Sequence, residues 1–223
     1  LHRVDRRQRQ MCIRDRDSST LHRPSDMSIL TLAGSPSQRS RSSALLRHAA
    51  QLLRARGLGI IELGLRDIPA EDLVEGHYTG AAANALRARV ATADAVLIST
   101  PVYKASFSGG LKAVLDLLDE KALAGKVVLP IATGGSPAHL LALEYGLKPV
   151  LSALGARHIL AGVYATDKQV SIDDAGASQI DADVLARLED SVERLAEQVA
   201  PRGAVVNEAF DLGRLALAGG FSV

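Results

Sequence analysis

One cysteine, no tryptophan and seven other aromatic side chains are all that 223 residues hold of these types. Each shortage removes a class of chemistry. The lone Cys12 lies near the start, so the chain from Met27 onward has no thiol for a disulfide, for nucleophilic catalysis or for thiolate metal binding. His48, His77 and His158 show no metal-ligand spacing, and the Gly-x-Ser-x-Gly elbow of serine hydrolases is missing. The longest apolar runs fall well short of the roughly 18 residues that a membrane span needs, so the protein is expected in the cytoplasm. Charge of either sign is scarce in excess: 26 basic residues face 25 acidic ones. Even that balance is uneven, because residues 1–26 carry seven arginines and four aspartates, which leaves a net of −2 on the remainder. Such a body offers no basic stripe for nucleic acid.

The length suits one domain with one good core. Residues 1–26 lack the apolar stretch of a secretory signal and read as a disordered, non-native leader, with Met27 as the expected natural start. Residues 27–200 read as the folded domain. Residues 201–223 hold a helix-breaking proline and scattered glycine, and read as a C-terminal tail that lies on a partner subunit or hangs free.

From Met27, short apolar runs alternate with longer helical patterns, the mark of βαβ units around a parallel sheet. Five strands are expected, at Ile29 to Ala33, Gly59 to Leu63, Ala95 to Thr100, Val127 to Ala132 and His158 to Tyr164. Near-continuous apolar character fits strands buried on both faces. Helices are expected over Ser42 to Arg56, Ala82 to Ala93, Gly109 to Asp119, Ala138 to Leu154 and Asp181 to Val199. The fold class is therefore α/β, a three-layer doubly wound domain with five parallel strands. Ligands of such sheets bind outside the carboxyl ends of the strands, where the strand order reverses.

Three loops follow strands one, three and four. In the first, Gly34 to Ser43, hydroxyls crowd a glycine turn just before a helix. Unpaired N–H groups and the positive helix end then converge on one point, which suits a phosphate. The ending of a Walker A loop and the G-x-G-x-x-G fingerprint are both absent. The second, Thr100 to Gly110, offers Pro101 and Tyr103 as a rigid turn with a flat aromatic face. The third, Thr133 to Pro137, offers Gly134 and Gly135 as unobstructed backbone. Together they suit a phosphate joined to a planar heterocycle. Lys104 reads equally as a solvated charge or a phosphate contact, and His139 as a ligand contact or a helix cap. Lys112 and Asp116 read as a surface pair. The fourth helix is apolar nearly all round and carries Gly146 and Pro149, which predicts an oligomer contact and a kink or π-bulge.

These motifs resemble the flavodoxin-like NAD(P)H-dependent FMN reductases, in particular the branch that serves two-component alkanesulfonate monooxygenases. The resemblance runs from Met27 to Val199 through Leu32 to Ser43, Thr100 to Ala105, Gly125 to Gly135, and Ala138 to Ala142 with Leu147 to Leu154. It implies strand order 2-1-3-4-5 and a dimer or tetramer. It implies FMN and NADPH, with NADH possible, as cofactors, no metal and no protein residue acting as acid or base. Ser35, Ser40, Arg41, Ser42 and Ser43 match the FMN-phosphate loop. Pro101, Val102, Tyr103 and Lys104 match the loop along the isoalloxazine, and Thr133, Gly134 and Gly135 the second ring loop. The broader family often has Asn where Ser42 stands, and Tyr145 matches a tyrosine in a widened turn at a tetramer contact.

The activity so implied is hydride transfer from NAD(P)H to FMN, with reduced FMN passed to a monooxygenase in organosulfonate sulfur assimilation. Arg39 or Arg41 is a candidate for favouring the extra phosphate of NADPH. Two readings compete. An FMN-retaining reductase of quinones, azo dyes or metal oxyanions shares the motifs, and a flavodoxin-type electron carrier shares the fold but is usually acidic and richer in aromatics around its ring.

Overall fold

The computed structural model describes residues 27–200, so the expectations for the leader and the tail lie outside the described residues. Strands β1 (Ser28–Ala33), β2 (Gly59–Gly64), β3 (Ala95–Tyr103) and β5 (Val127–Gly134) run parallel in the order β2-β1-β3-β5. Two short strands, β6 (His158–Ile159) and β7 (Val163–Thr166), follow one another along the far side of β5. The topology is thus the expected 2-1-3-4-5 with a broken fifth strand.

The pleat sorts side chains to two faces. Leu30, Leu32, Val96, Ile98, Val128 and Ala132 pack under α3 (Ala81–Thr92) and α4 (Gly109–Asp116). Ile29, Ala95, Leu97, Leu129 and Ile131 pack under α1 (Arg41–Ala55) and α6 (Ala182–Val199). Helix α6 shows why these segments become helices: Val184, Leu188, Val192, Leu195 and Val199 recur every three or four residues and are all buried, while its charges face out. Each such side chain contributes about 1.5–3 kcal/mol by leaving water.

The fifth strand breaks opposite Pro130. This residue stands in the middle of β5 without an N–H to give the ladder, and the pairing shifts by one residue between Val128↔Ile159 and Ile131↔Val163. Gly162 adopts φ +90° in that bulge, and a Cβ there would lie 2.9 Å from the Pro130 carbonyl oxygen. The fourth helix is not continuous either. It divides into a 3₁₀ turn (Pro137–Leu140), a π-helical segment (Ala142–Leu147) and α5 (Lys148–Ala153). Pro149 sits in the first turn of α5, and the wide turn before it absorbs the hydrogen bond that proline cannot make. Leu143, Leu147 and Leu151 enter the core, while Leu140, Leu141 and Tyr145 stay exposed, Tyr145 at 79%.

Elements not expected from sequence are all short. Helix α2 (Ala70–Glu75) follows β2, strand β4 (Ser106–Phe107) folds back on β3, and β8 (Val170–Ile172) pairs with β9 (Ser178–Ile180) as a separate hairpin. Helix α4 ends at Asp116 rather than Asp119. Its Lys112 and Asp116 form the expected pair at 2.6 Å.

Candidate active site

Register alone brings the three loops together. Ala33 lies beside Ser99, and Pro101 beside Thr133, so the segments leaving β1, β3 and β5 emerge side by side. A hydrogen-bond seam then joins the first two. The Gly34 N–H donates to the Ser99 carbonyl at 2.8 Å, and the Ser108 hydroxyl donates to the Gly34 carbonyl. The same Ser108 oxygen accepts from the Leu111 N–H at 3.1 Å as N-cap of α4, and the Ser108 N–H donates to Thr100 Oγ1 at 2.9 Å. Position 34 tolerates only glycine, since a Cβ would lie 2.8 Å from both Leu111 Cβ and the Ser99 oxygen.

In the first loop, Ser40 is the N-cap of α1. Its oxygen accepts from the Ser43 N–H at 3.2 Å and lies 3.0 Å from the Ser42 hydroxyl. Ser35 Oγ accepts from the Ser37 N–H at 3.2 Å. Ser35, Ser40 and Ser43 are buried and Ser42 fully so, whereas the stretch from Pro36 to Arg39 is exposed. The serine hydroxyls therefore shape the turn from within. The N–H groups of Arg41 and Ser42, the first two of α1, have no acceptor among the described residues and carry the positive helix end.

The second loop differs from the expected rigid turn. Strand β3 runs on through Pro101 and Val102 to Tyr103, and β4 pairs back through Val102↔Phe107 and Tyr103↔Ser106. The two turn residues, Lys104 and Ala105, both adopt positive φ, 49° and 64°. This is the type I′ geometry that matches strand twist but favours Asn-Gly, so a backbone strain of about 1 kcal/mol or more per residue is held here. The hairpin presents Tyr103 half exposed and Lys104 exposed at its tip. Its back rests on the π-helical segment, where a Cβ on Gly146 would lie 3.4 Å from Ser106 Oγ and 3.5 Å from Phe107 Cδ1.

In the third loop, Thr133 and Gly134 are buried and Gly135 is exposed. A Cβ on Gly134 would lie 2.8 Å from Tyr164 Oη, 3.1 Å from Val102 Cβ and 3.2 Å from His139 Nδ1. The glycine thus lets β7 and the hairpin close on the loop. The Tyr164 hydroxyl donates to the Ser136 carbonyl at 2.6 Å, and its burial, aided by the Asp167 carboxylate, pushes the phenol above its ordinary value. Among the described residues, His139 Nδ1 is buried with no hydrogen-bond partner, and so is Ser99 Oγ. Two expected anion contacts also meet protein partners at the surface. Arg41 Nε donates to the Val170 carbonyl at 2.8 Å, and Arg39 pairs with Asp174 at 3.2 Å. Both partners lie in or beside the β8–β9 hairpin, whose weak sequence signal is the Asp173 to Gly176 turn. Tyr164 and Ser108 also went unforeseen, because each acts through a fold-dependent partner.

The loops surround an arrangement that fits a phosphorylated, planar ligand: free helix N–H groups at one end, close-approach glycine and an aromatic hairpin at the other. The family model for NADPH-dependent FMN reductase matches residues 27–171. The chain belongs to that family. It is 49% identical over 168 residues to the FMN reductase (NADPH) of Pseudomonas putida, an overlap of 75% of this chain and 85% of that one. It is 47% identical over 167 residues to the FMN reductase (NADPH) of Escherichia coli K12, covering 75% of this chain and 87% of the relative. Among solved structures, the apo form of the NADH:FMN oxidoreductase EmoB superposes with a TM-score of 0.69 at 36% identity, over 77% of this chain and 89% of that one. The protein is an NAD(P)H-dependent FMN reductase, with FMN and NAD(P)H as its cofactors and a flavodoxin-like fold. Among the described residues no helix is long and apolar enough to cross a membrane, and no group of three or more His, Cys, Asp or Glu could hold a metal.

Proposed function

We propose that the three strand-end loops are the FMN site and that the reductase hands its reduced flavin to a flavin-dependent monooxygenase in organosulfonate sulfur assimilation. The observation that carries the site is the emergence of the loops after β1, β3 and β5 side by side at the carboxyl edge of the sheet. At the phosphate end, the N–H groups of Arg41 and Ser42 are the donors, while Ser35, Ser40, Ser42 and Ser43 hold the turn in shape. Pro101, Val102, Tyr103 and Lys104 run along the ring, and Thr133, Gly134 and Gly135 meet its other side. Bound FMN supplies hydride acceptance from the nicotinamide. The residues of this chain bind, orient and leave room for stacking, and fixed N–H dipoles of the glycine loop favour negative charge on the ring.

Release of the flavin is supported by the openness of the hairpin, whose Tyr103 is 50% exposed. The exposed face of Leu140, Leu141 and Tyr145 supports a homodimer or homotetramer in a cytoplasmic enzyme. The deciding experiment follows NADPH oxidation with and without added FMN, then with a flavin-dependent monooxygenase present. Turnover that depends on added FMN and drives the monooxygenase is expected. A protein purified yellow, turning over without free flavin, would instead establish the quinone, azo or oxyanion reductase reading.

A further inference from the structure

An open cavity of about 490 Å³, lined by polar and apolar side chains alike, lies between α1 and the carboxyl end of β2, on the far side of the phosphate loop from the ring loops. Arg47 of α1 and Arg66 just after β2 line it. The other arginines nearby are engaged: Arg39 by Asp174, Arg41 by the Val170 carbonyl and Arg54 by Glu62. Arg47 and Arg66 have no hydrogen-bond or ion-pair partner among the described residues. The cavity also holds two carboxylates, one ion-paired and the other still charged while it accepts a backbone N–H. Glu62 pairs with Arg54, and Asp67 Oδ2 accepts the Gly64 N–H at 2.7 Å. Ser35 and Ser43, which shape the phosphate loop, reach the cavity from its other wall.

Doubly wound sheets bind ligands across the carboxyl ends of their strands, and in those that carry the G-x-G-x-x-G loop, which this chain lacks, the adenosine half of a dinucleotide lies at the strand beside β1. There an acidic residue reads a ribose hydroxyl, or an arginine reads a 2′-phosphate. Three strand spacings of about 4.8 Å separate β2 from β5, about 14 Å, within reach of an extended dinucleotide whose nicotinamide meets the ring loops. We propose that this cavity takes the adenosine 2′-phosphate of NADPH, and that Arg47 and Arg66, rather than Arg39 or Arg41, set the preference over NADH. The inference rests on the placement of FMN at the three loops.

Two measurements on the intact protein test it. The first is titration with adenosine 2′,5′-bisphosphate and with 5′-AMP, each with and without saturating FMN. The bisphosphate is expected to bind about tenfold tighter or better in both conditions, as a charge-assisted pair requires. Equal binding overturns the proposal, and so does loss of the bisphosphate on adding FMN, which would put it in the flavin cradle. The second is the ratio of kcat/KM for NADPH to that for NADH in Arg47→Gln, Arg66→Gln and Arg39→Gln. A fall of about tenfold in the first two only is expected. An unchanged ratio, or the fall appearing in Arg39→Gln, overturns it. If the wild type oxidises neither dinucleotide with FMN present, the reductase reading fails, while the titration without flavin still reports on the cavity.

Discussion

Replacing Ser108 by alanine removes one oxygen that serves two loops. In the wild type that oxygen caps α4 by accepting from the Leu111 N–H, and it donates to the Gly34 carbonyl at the root of the phosphate loop. Ser108 is 1% exposed, so water does not replace either bond. Loss of the cap costs about 1 kcal/mol. Leaving the buried Gly34 carbonyl without this donor costs about 1–3 kcal/mol more. A total of about 2–4 kcal/mol lowers the melting temperature by roughly 4–16 °C in a domain of this size. Urea denaturation gives the free energy, and FMN titration below the transition gives the functional consequence. Because the Gly34 carbonyl is no longer held, FMN affinity falls along with stability. Ser108→Gly separates the two effects: it keeps most of the cap but not the carbonyl bond, so it should weaken FMN binding as much as alanine does while costing less stability. An Ser108→Ala protein within 0.5 kcal/mol of wild type, with unchanged flavin affinity, would refute the seam.

Gly134→Ala places a methyl 2.8 Å from Tyr164 Oη and should weaken FMN binding about tenfold or more, whereas Gly134→Ala with Tyr164→Phe removes the clashing oxygen and recovers part of it; flavin titration of these two variants and of Tyr164→Phe alone reads the coupling. Ala105→Gly relieves the positive φ of the hairpin tip and should raise stability by about 0.5–1 kcal/mol, while Ala105→Val lowers it by more, as chemical denaturation will show. His77 is held above the usual histidine value by its hydrogen bond to Asp72 and by the nearby Glu75 carboxylate, against some desolvation. A raised folded value means that this stabilisation is complete below about pH 6.5 and is lost as pH rises through the folded pKa. NMR titration should therefore place His77 above 6.5, and His77→Gln should flatten that part of the melting-temperature profile. Replacing Ser40 and Ser42 together by alanine should weaken FMN binding by about 1–3 kcal/mol, since the turn that aims the helix N–H groups loses its inner bonds; an unchanged affinity in the titration would refute the phosphate end of the site.

The pattern of apolar runs and helical periods was enough to place β1, β2, β3 and β5, helices α1, α3 and α6, and hence the doubly wound sheet. Strands buried on both faces must be apolar throughout, and helices such as α6 must repeat every three or four residues, so both leave a direct trace in the chain. The same holds for the three loops, because glycine and serine at strand ends are local signals. The fifth strand was legible only in part. Its break depends on Pro130, which lies in a neighbouring strand and acts through a missing N–H that only pairing exposes. The expected turn at Pro101 and Tyr103 became a continuation of β3 because Phe107 and Ser106 supply a pairing strand, and nothing local forces Lys104 and Ala105 into positive φ.

The site divides along the same line. Sequence alone determined which residues stand at the strand ends, and through them the family and its FMN chemistry. Tertiary structure decided where each residue stands: Ser42 turns inward, Arg39 and Arg41 are drawn to the β8–β9 hairpin, Tyr164 closes behind Gly134, and Arg47 and Arg66, beside β2, have no partner among the described residues. The reason is one of range. Strand and helix identity follow from neighbours a few residues apart, whereas the direction of a buried hydroxyl or a guanidinium depends on partners up to 135 positions away, which only the folded chain brings within hydrogen-bonding distance.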